Sequence, residues 1–277
     1  MSEPRALRLG YSPCPNDTFQ FHALVHDLVE VPGVRFEPWL ADIEELNRRA
    51  QGEDPLAVTK LSMGALAAVG DRYEVLPSGA ALGRGVGPLV VARSGGGAPA
   101  SLADLGGRRI AIPGERTTAW LLLRLFAPDD VVPVELRFDR IMPAVVAGEV
   151  DAGLVIHESR FTFRDHGLEQ LADVGELWEA DTGLPLPLAV IAARNDLEPE
   201  LRAAVGEGIR RSVEHAFAVP EASRGYVRAH SQEMSDAVCD QHIGLYVNEF
   251  SRDLGEDGRR AIDTLLERGR RLGLLPG

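Results

Sequence analysis

The chain has 277 residues, of which 45% are hydrophobic and 26% are charged, values typical of a globular protein with an ordinary core. That length allows one large domain or two smaller ones. The 42 acidic residues outnumber the 29 basic residues, and the net charge of −13 argues against nucleic acid or an anionic membrane as a partner. A small anionic ligand would need fixed local donors.

Cysteine usage and hydropathy predict a cytoplasmic protein. Cys14 and Cys239 are too few and too distant for a disulfide framework, which suits a reducing compartment. No CxxC motif or paired-histidine spacing indicates a metal site. The first residues contain no apolar segment typical of a signal peptide, and no apolar run approaches the length that spans a membrane.

The first part of the chain alternates between strand and helix. Strands are predicted at 6–11, 34–40 and 56–59, and the last of these ends at Lys60. Helices are predicted after the SPCPND turn with Asn16 or Asp17 as the cap, at 41–50 from the cap Asp42, and at 63–69 from the cap Ser62. This alternation indicates an α/β fold with a mostly parallel sheet.

Polar residues stand at the ends of these strands, where ligands bind in open α/β sheets. They are Ser12, Lys60 and Ser62, although turn and cap chemistry would also explain the two serines. Lys60 is the only lysine among the 29 basic residues. A site that needs a compact ammonium group rather than a planar guanidinium would retain a lysine, but chance survival would give the same pattern.

A glycine-rich connection follows, and its GRGVG run has neither the spacing nor the lysine of a phosphate loop. Two similar apolar strands, PLVVAR at 88–93 and PLAVIAAR at 187–194, bracket about a hundred residues. They predict a crossover between two lobes, one formed by 1–88 with 194–277 and the other by 94–187. The lobes are expected to close on a ligand about these two strands.

Between the two strands the alternation begins again. Strands are predicted at 109–113, 133–138 and 152–156, and helices from Thr117 or Thr118 and at 141–147. The last strand stops at His157, which makes this histidine the first candidate for chemistry, although a histidine that only caps the strand would look the same. Helices at 198–218, 220–230, 235–250 and 256–272 complete the chain, and their His215, His230 and His242 are interpreted as packing or surface residues.

Several motifs in order carry a family resemblance. They are YSPCPNDTF at 11–19, TKLS at 59–62, GRGVGPLVV at 83–91, PGERTTA at 113–119, IHESRFTF at 156–163 and TGLPLPL at 182–188. Together they resemble the 1,4-dihydroxy-6-naphthoate synthases, which act in the futalosine route to menaquinone. The resemblance extends from Leu7 to the C-terminal helices.

The resemblance implies a two-lobed fold like that of type II periplasmic binding proteins, with a ligand cleft between the lobes. It implies conversion of cyclic dehypoxanthinyl futalosine to 1,4-dihydroxy-6-naphthoate, with release of the sugar-derived fragment and without a redox cofactor. His157 matches the family's proton-abstracting base, and the substrate-contacting segments match Lys60, Leu61, Ser62, Thr117 and Thr118. Two alternatives stay open: the sister enzyme chorismate dehydratase, and a small-anion binding protein that performs no turnover.

Overall fold

The structure is a computed structural model that describes residues 3–95, 98–231 and 235–276. Its strands are β1 (Arg5–Tyr11), β2 (Val34–Leu40), β3 (Val58–Ser62), β4 (Tyr73–Val75), β5 (Ala81–Gly83), β6 (Leu89–Arg93), β7 (Arg109–Ile112), β8 (Val132–Glu135), β9 (Ala152–Val155), β10 (Leu168–Asp173) and β11 (Leu186–Arg194). Its helices are α1 (Pro15–Val25), α2 (Ile43–Gln51), α3 (Met63–Val69), α4 (Thr118–Phe126), α5 (Phe138–Ala147), α6 (Ser159–Thr162), α7 (Val174–Thr182), α8 (Pro199–Ala218), α9 (Arg224–His230), α10 (Asp236–Tyr246), α11 (Glu249–Arg252) and α12 (Gly255–Arg271). Short 3-10 helices span Leu102–Leu105, Phe163–His166 and Pro220–Ser223.

The first sheet has the strand order β2-β1-β3-β11-β4, and β5 also pairs with β11. The predicted parallel arrangement is confirmed for β1, β2 and β3. Strand β11 runs antiparallel to β3, so the sheet is mixed rather than all parallel. The carboxyl ends of β1 and β3 therefore lie at the same edge of the sheet.

The second sheet has the strand order β10-β6-β9-β7-β8. Strands β7, β8 and β9 are parallel, and β6 is antiparallel to both of its neighbours, β9 and β10. The two similar apolar strands of the sequence thus lie in different sheets, β6 in the second and β11 in the first. The chain passes into the second sheet between β5 and β6 and returns between α7 and β11.

Local sequence explains where several helices begin. Asp42 caps α2 by accepting a hydrogen bond from the main-chain N–H of Glu44 at 2.9 Å, as predicted. The N-cap of α1 is Cys14 and its first residue is a proline, a residue preferred at that position. The prediction that Asn16 or Asp17 caps this helix is therefore wrong, because both lie inside its first turn.

The C-terminal helices cover the first sheet and reach the second. Helices α8 and α10 pack against α1, and α12 packs against α3 and β11. One hydrophobic cluster contains Leu61 of β3 and Leu154 of β9, so the two sheets share a core. None of the helices in the described ranges combines the length and apolar character needed to cross a bilayer.

Candidate active site

A cleft is lined by residues of β3, β5 and β11 in the first sheet, by residues that adjoin β6 and β9 of the second sheet, and by residues of α1, α2, α4 and α10. Its polar lining residues are Asn16, Lys60, Ser62, Thr117, Thr118, His157, His242 and Tyr246. The rest of the lining is apolar, for example Ile43, Ile156 and Leu188. Apolar walls with a few convergent polar groups are typical of a small-molecule site.

The structure brings most of the predicted site residues to this cleft, namely Lys60, Ser62, Thr117, Thr118 and His157. Leu61 lies instead in the shared core with a side chain that is 0% exposed. Successive residues of a strand face opposite sides, so Leu61 points away from the side that Lys60 and Ser62 occupy. Any contact between Leu61 and a ligand would therefore be made by its main chain.

Lys60 is buried against a carboxylate that sequence spacing did not reveal. Its Nζ lies 2.7 Å from both carboxylate oxygens of Asp17, and the two residues are only 4% and 0% exposed. The Asp17 carboxylate also accepts hydrogen bonds from the N–H and Oγ of Ser12, from Asn16 Nδ2 and from Gln20 Nε2. The prediction that the third strand ends at Lys60 is wrong, because Lys60 is the third residue of β3 and its charge is buried and paired.

His157 follows β9 with a left-handed backbone, at a φ of 57° that non-glycine residues rarely adopt. Its Nδ1 lies 3.3 Å from Sγ of Cys14, and the ring of Phe138 packs edge-on at 4.9 Å between centroids. Its Nε2 is buried and has no hydrogen-bond partner within the described residues. Such a nitrogen is free to accept a proton from a ligand in the cleft.

The electrostatic surroundings keep the His157 imidazole neutral. Burial, followed by the nearby positive charge of Lys60, lowers the pKa of His157 to about 4, although Asp17 acts in the opposite direction. A histidine with its ordinary pKa would titrate near neutrality. In the folded protein the imidazole is instead unprotonated well below neutral pH, which makes it available as a base that binds its proton weakly.

Sequence reasoning did not place His242 and Tyr246 in the site. Both lie on α10 and line the cleft, and His242 is 1% exposed. The ring of His242 stacks near that of His157, with 6.1 Å between centroids, and its Nδ1 is 3.8 Å from Oε2 of Glu158. Burial lowers the pKa of His242 well below its usual value. No local motif marks these residues, because only the packing of α10 on α1 brings them to the cleft.

The start of α4 offers donors for an anion. Thr117 Oγ1 accepts from the N–H of Trp120 at 3.2 Å and so caps the helix, as predicted. Thr118 Oγ1 accepts from the N–H of Met63 at 2.8 Å and donates to the carbonyl of Leu188, which ties α4 to α3 and β11. The first N–H groups of a helix have no intrahelical partner, and the first two residues of α4, Thr118 and Ala119, line the cleft.

Three side chains of the site have the chemistry of metal ligands. Cys14, His157 and Glu158 each offer one ligand atom, and these atoms lie within 4.8 Å of one another. Zinc accepts all three donor types. The thiol and imidazole already form a hydrogen-bonded pair, and burial raises the pKa of the Cys14 thiol well above its usual range, which disfavours the thiolate that a metal requires.

Two sheets that share a core, with a cleft that holds a few convergent polar groups, define the class of two-lobed α/β proteins with the periplasmic-binding-protein fold. The alkanesulfonate-binding protein SsuA from Xanthomonas axonopodis pv. citri, solved with bound MOPS, has this fold, with a TM-score of 0.74 at 18% identity over 100% of this chain and 96% of that one. A protein from Archaeoglobus fulgidus is closer, with a TM-score of 0.90 at 36% identity over 98% of both chains.

The family model described as menaquinone biosynthesis matches residues 7–271. The 1,4-dihydroxy-6-naphthoate synthase of Thermus thermophilus is 56% identical over 97% of this chain and 96% of its own length. The synthase of Streptomyces coelicolor is 51% identical over 98% of this chain and 95% of its own length. The chain therefore belongs to this menaquinone-biosynthesis family and is an enzyme of the kind that its relatives represent, which confirms the predicted family and fold.

Proposed function

We propose that the protein is a lyase that converts cyclic dehypoxanthinyl futalosine to 1,4-dihydroxy-6-naphthoate, with His157 as the general base. The observation that carries this proposal is a neutral imidazole in the cleft whose Nε2 has no hydrogen-bond partner among the described residues. The names of the 51% and 56% identical relatives support the product. The substrate is inferred from the family resemblance of the ordered motifs.

The proposed reaction begins with proton removal. Cleavage of a carbon–carbon bond next to a carbonyl requires a base, and Nε2 of His157 is the group in the cleft suited to that role. When the bond breaks, the sugar-derived fragment leaves, and the electron pair of the bond develops as negative charge on the carbonyl oxygen. The Lys60 ammonium and the first N–H groups of α4 would stabilise it, since fixed donors in a site of low polarity need no reorganisation. We assign Lys60, Ser62, Thr117 and Thr118 to substrate binding on this basis.

The two lobes are proposed to be 1–88 with 194–277 and 94–187, joined through 88–93 and 187–194. The separate sheets and the cleft between them support this division. Closure of the lobes would exclude water and align substrate with His157. The proposed location is the cytoplasm, supported by two buried cysteines that form no disulfide.

The direct test is His157→Asn, which removes the base and keeps a polar side chain. Purified variant and wild-type protein are incubated with the cyclic futalosine derivative, and 1,4-dihydroxy-6-naphthoate is measured by liquid chromatography. We expect a loss of kcat of about a hundredfold or more, because general-base catalysis contributes roughly that much. His215→Asn on α8, a histidine outside the cleft lining, is the matched control and should retain wild-type activity. Wild-type rates in the His157 variant would refute the assignment.

A second candidate is capture of a small anion without turnover, which the likeness to the alkanesulfonate-binding protein favours. The same incubation separates the two functions. A binding protein would show a calorimetric binding signal with the cyclic futalosine derivative but no naphthoate. A parallel incubation with chorismate tests the sister activity, and dehydration of chorismate in place of naphthoate formation would overturn the proposal.

A further inference from the structure

The SPCPND segment contributes Cys14 to the site in addition to Asn16 and Asp17. Cys14 is the N-cap of α1 and is only 4% exposed. Its Sγ lies 3.3 Å from Nδ1 of His157, across 143 positions of the chain. Within the described residues, this sulfur is the hydrogen-bond partner of the His157 ring, since Nε2 has none. The contact therefore bears on which ring nitrogen carries the hydrogen.

A neutral imidazole has one N–H and one nitrogen that accepts. If the thiol donated to Nδ1 of His157, the ring hydrogen would sit on Nε2, and Nε2 could not take a proton from substrate. If instead Nδ1–H donates to Sγ of Cys14, the lone pair is on Nε2. The two tautomers thus differ in whether the nitrogen without a partner is a base or a donor.

The second arrangement is the more stable one for a physical reason. An imidazole N–H is a strong donor, and burying it without an acceptor costs about 1–3 kcal/mol, whereas a thiol S–H is a weak donor. With the hydrogen on Nε2, the strong donor would be left without an acceptor among the described residues. With the hydrogen on Nδ1, the strong donor has the sulfur of Cys14 as its acceptor.

We propose that Cys14 is a positioning residue: its sulfur accepts the hydrogen bond of His157 Nδ1–H and thereby leaves Nε2 as the nitrogen that removes the substrate proton. This role rests on the proposed function of His157 as the base. Cys14 itself forms no bond to substrate. The left-handed backbone of His157 and the edge-on ring of Phe138 hold the imidazole against the sulfur.

A sulfur acceptor suits a base that must release its proton again. A carboxylate at this position would form an ion pair with the imidazolium and would hold the proton on the ring. The neutral thiol orients the ring through a weak hydrogen bond and adds no charge. Burial also keeps the thiol protonated, since the pKa of Cys14 is raised well above its usual range, so Cys14 is not poised as a nucleophile.

The tautomer can be read directly by NMR. Protein labelled with ¹⁵N-histidine gives distinct ring-nitrogen shifts for N–H and unprotonated nitrogens, and the His157→Asn variant assigns the signals. We expect wild-type His157 to carry its hydrogen on Nδ1, Cys14→Ser to preserve this tautomer through its hydroxyl, and Cys14→Ala to lose it. Cys239→Ala is the matched control, because it removes the other buried cysteine, and it should change nothing.

Kinetics provide the second measurement. Cys14→Ala should lower kcat by up to about a hundredfold with little change in KM, because a misoriented base impairs the chemical step rather than binding. Cys14→Ser should recover most of the rate. Hydrogen on Nε2 in the wild type, or an unchanged tautomer in Cys14→Ala, would overturn the proposal, and so would unchanged kcat in that variant. If the wild type produced no naphthoate, the proposed function would fail while the NMR result still reported the tautomer.

Discussion

Replacement of Asp17 by asparagine tests the most buried charge of the site. The carboxylate of Asp17 is 0% exposed and is paired with Lys60 at 2.7 Å, while Ser12, Asn16 and Gln20 donate to its oxygens. Asn keeps the shape but removes the charge, and its amide group places donors where other donors already point. Removing one partner of a buried ion pair costs about 3–5 kcal/mol, because the remaining charge is left uncompensated. For a chain of this size, the thermal midpoint should fall by roughly 10 °C.

The assay is thermal and urea unfolding followed by circular dichroism, on Asp17→Asn, Lys60→Met and the double variant. The double variant should be more stable than Asp17→Asn alone, because it removes both charges and leaves no buried ammonium group unpaired. Asp54→Asn is the control, since Asp54 forms an exposed pair with Arg8 and should leave the midpoint nearly unchanged. A loss below about 1 kcal/mol in Asp17→Asn, or a double variant no better than the single one, would refute the reasoning.

Four further outcomes are expected. Lys60→Arg should lower catalytic efficiency by up to about a hundredfold and should also lower the thermal midpoint, because the side chain is only 4% exposed and the site has no room for a guanidinium group. Unchanged catalytic efficiency would show that the lone lysine is a compositional accident. The pKa of His157 is about 4 in the folded protein and near 6.5 in the unfolded chain, so the free energy of unfolding should fall as pH drops from 6.5 toward 4. On the acidic side, kcat/KM should decline only near pH 4, where the base becomes protonated. His157→Asn should remove the part of the stability change that this histidine causes. Gly87→Ala should lower the free energy of unfolding by several kcal/mol, since the added Cβ would lie 2.4 Å from Cα of Gly175. Gly225→Ala in α9 is the control, because the added Cβ meets open space and the change should be neutral or stabilising. Equal thermal midpoints for the two variants would contradict this packing. Small-angle scattering should show compaction when 1,4-dihydroxy-6-naphthoate binds, and an unchanged radius of gyration would count against lobe closure.

The mixed sheets show which features of the fold local sequence predicts and which it does not. The β1, β2 and β3 strands and their intervening helices follow from apolar runs and caps, because those signals act over neighbouring residues. The direction of β11 in the first sheet does not follow from its sequence. An apolar strand has the same sequence pattern whether its neighbour is parallel or antiparallel. The antiparallel pairing of β11 with β3 is decided by the path of the chain through the second sheet.

The site divides in the same way. Lys60 and His157 could be identified as candidates from the sequence, because each follows an apolar run and the family motifs include both. The surroundings of these two side chains could not be predicted from the sequence. Burial of Lys60 against Asp17, and the low pKa of His157, depend on which side chains other elements place around them.

By itself the sequence determined the family, the α/β class, and most of the polar residues that reach the cleft, because ordered motifs and strand-end positions are written along the chain. Only the tertiary structure decided that Sγ of Cys14 lies within hydrogen-bond distance of Nδ1 of His157 and that α10 supplies His242 to the cleft. Cys14 and His157 are 143 positions apart in the chain, and His157 and His242 are 85 positions apart. Distances of that kind are set by the packing of whole helices and sheets, for which no local spacing exists to be read.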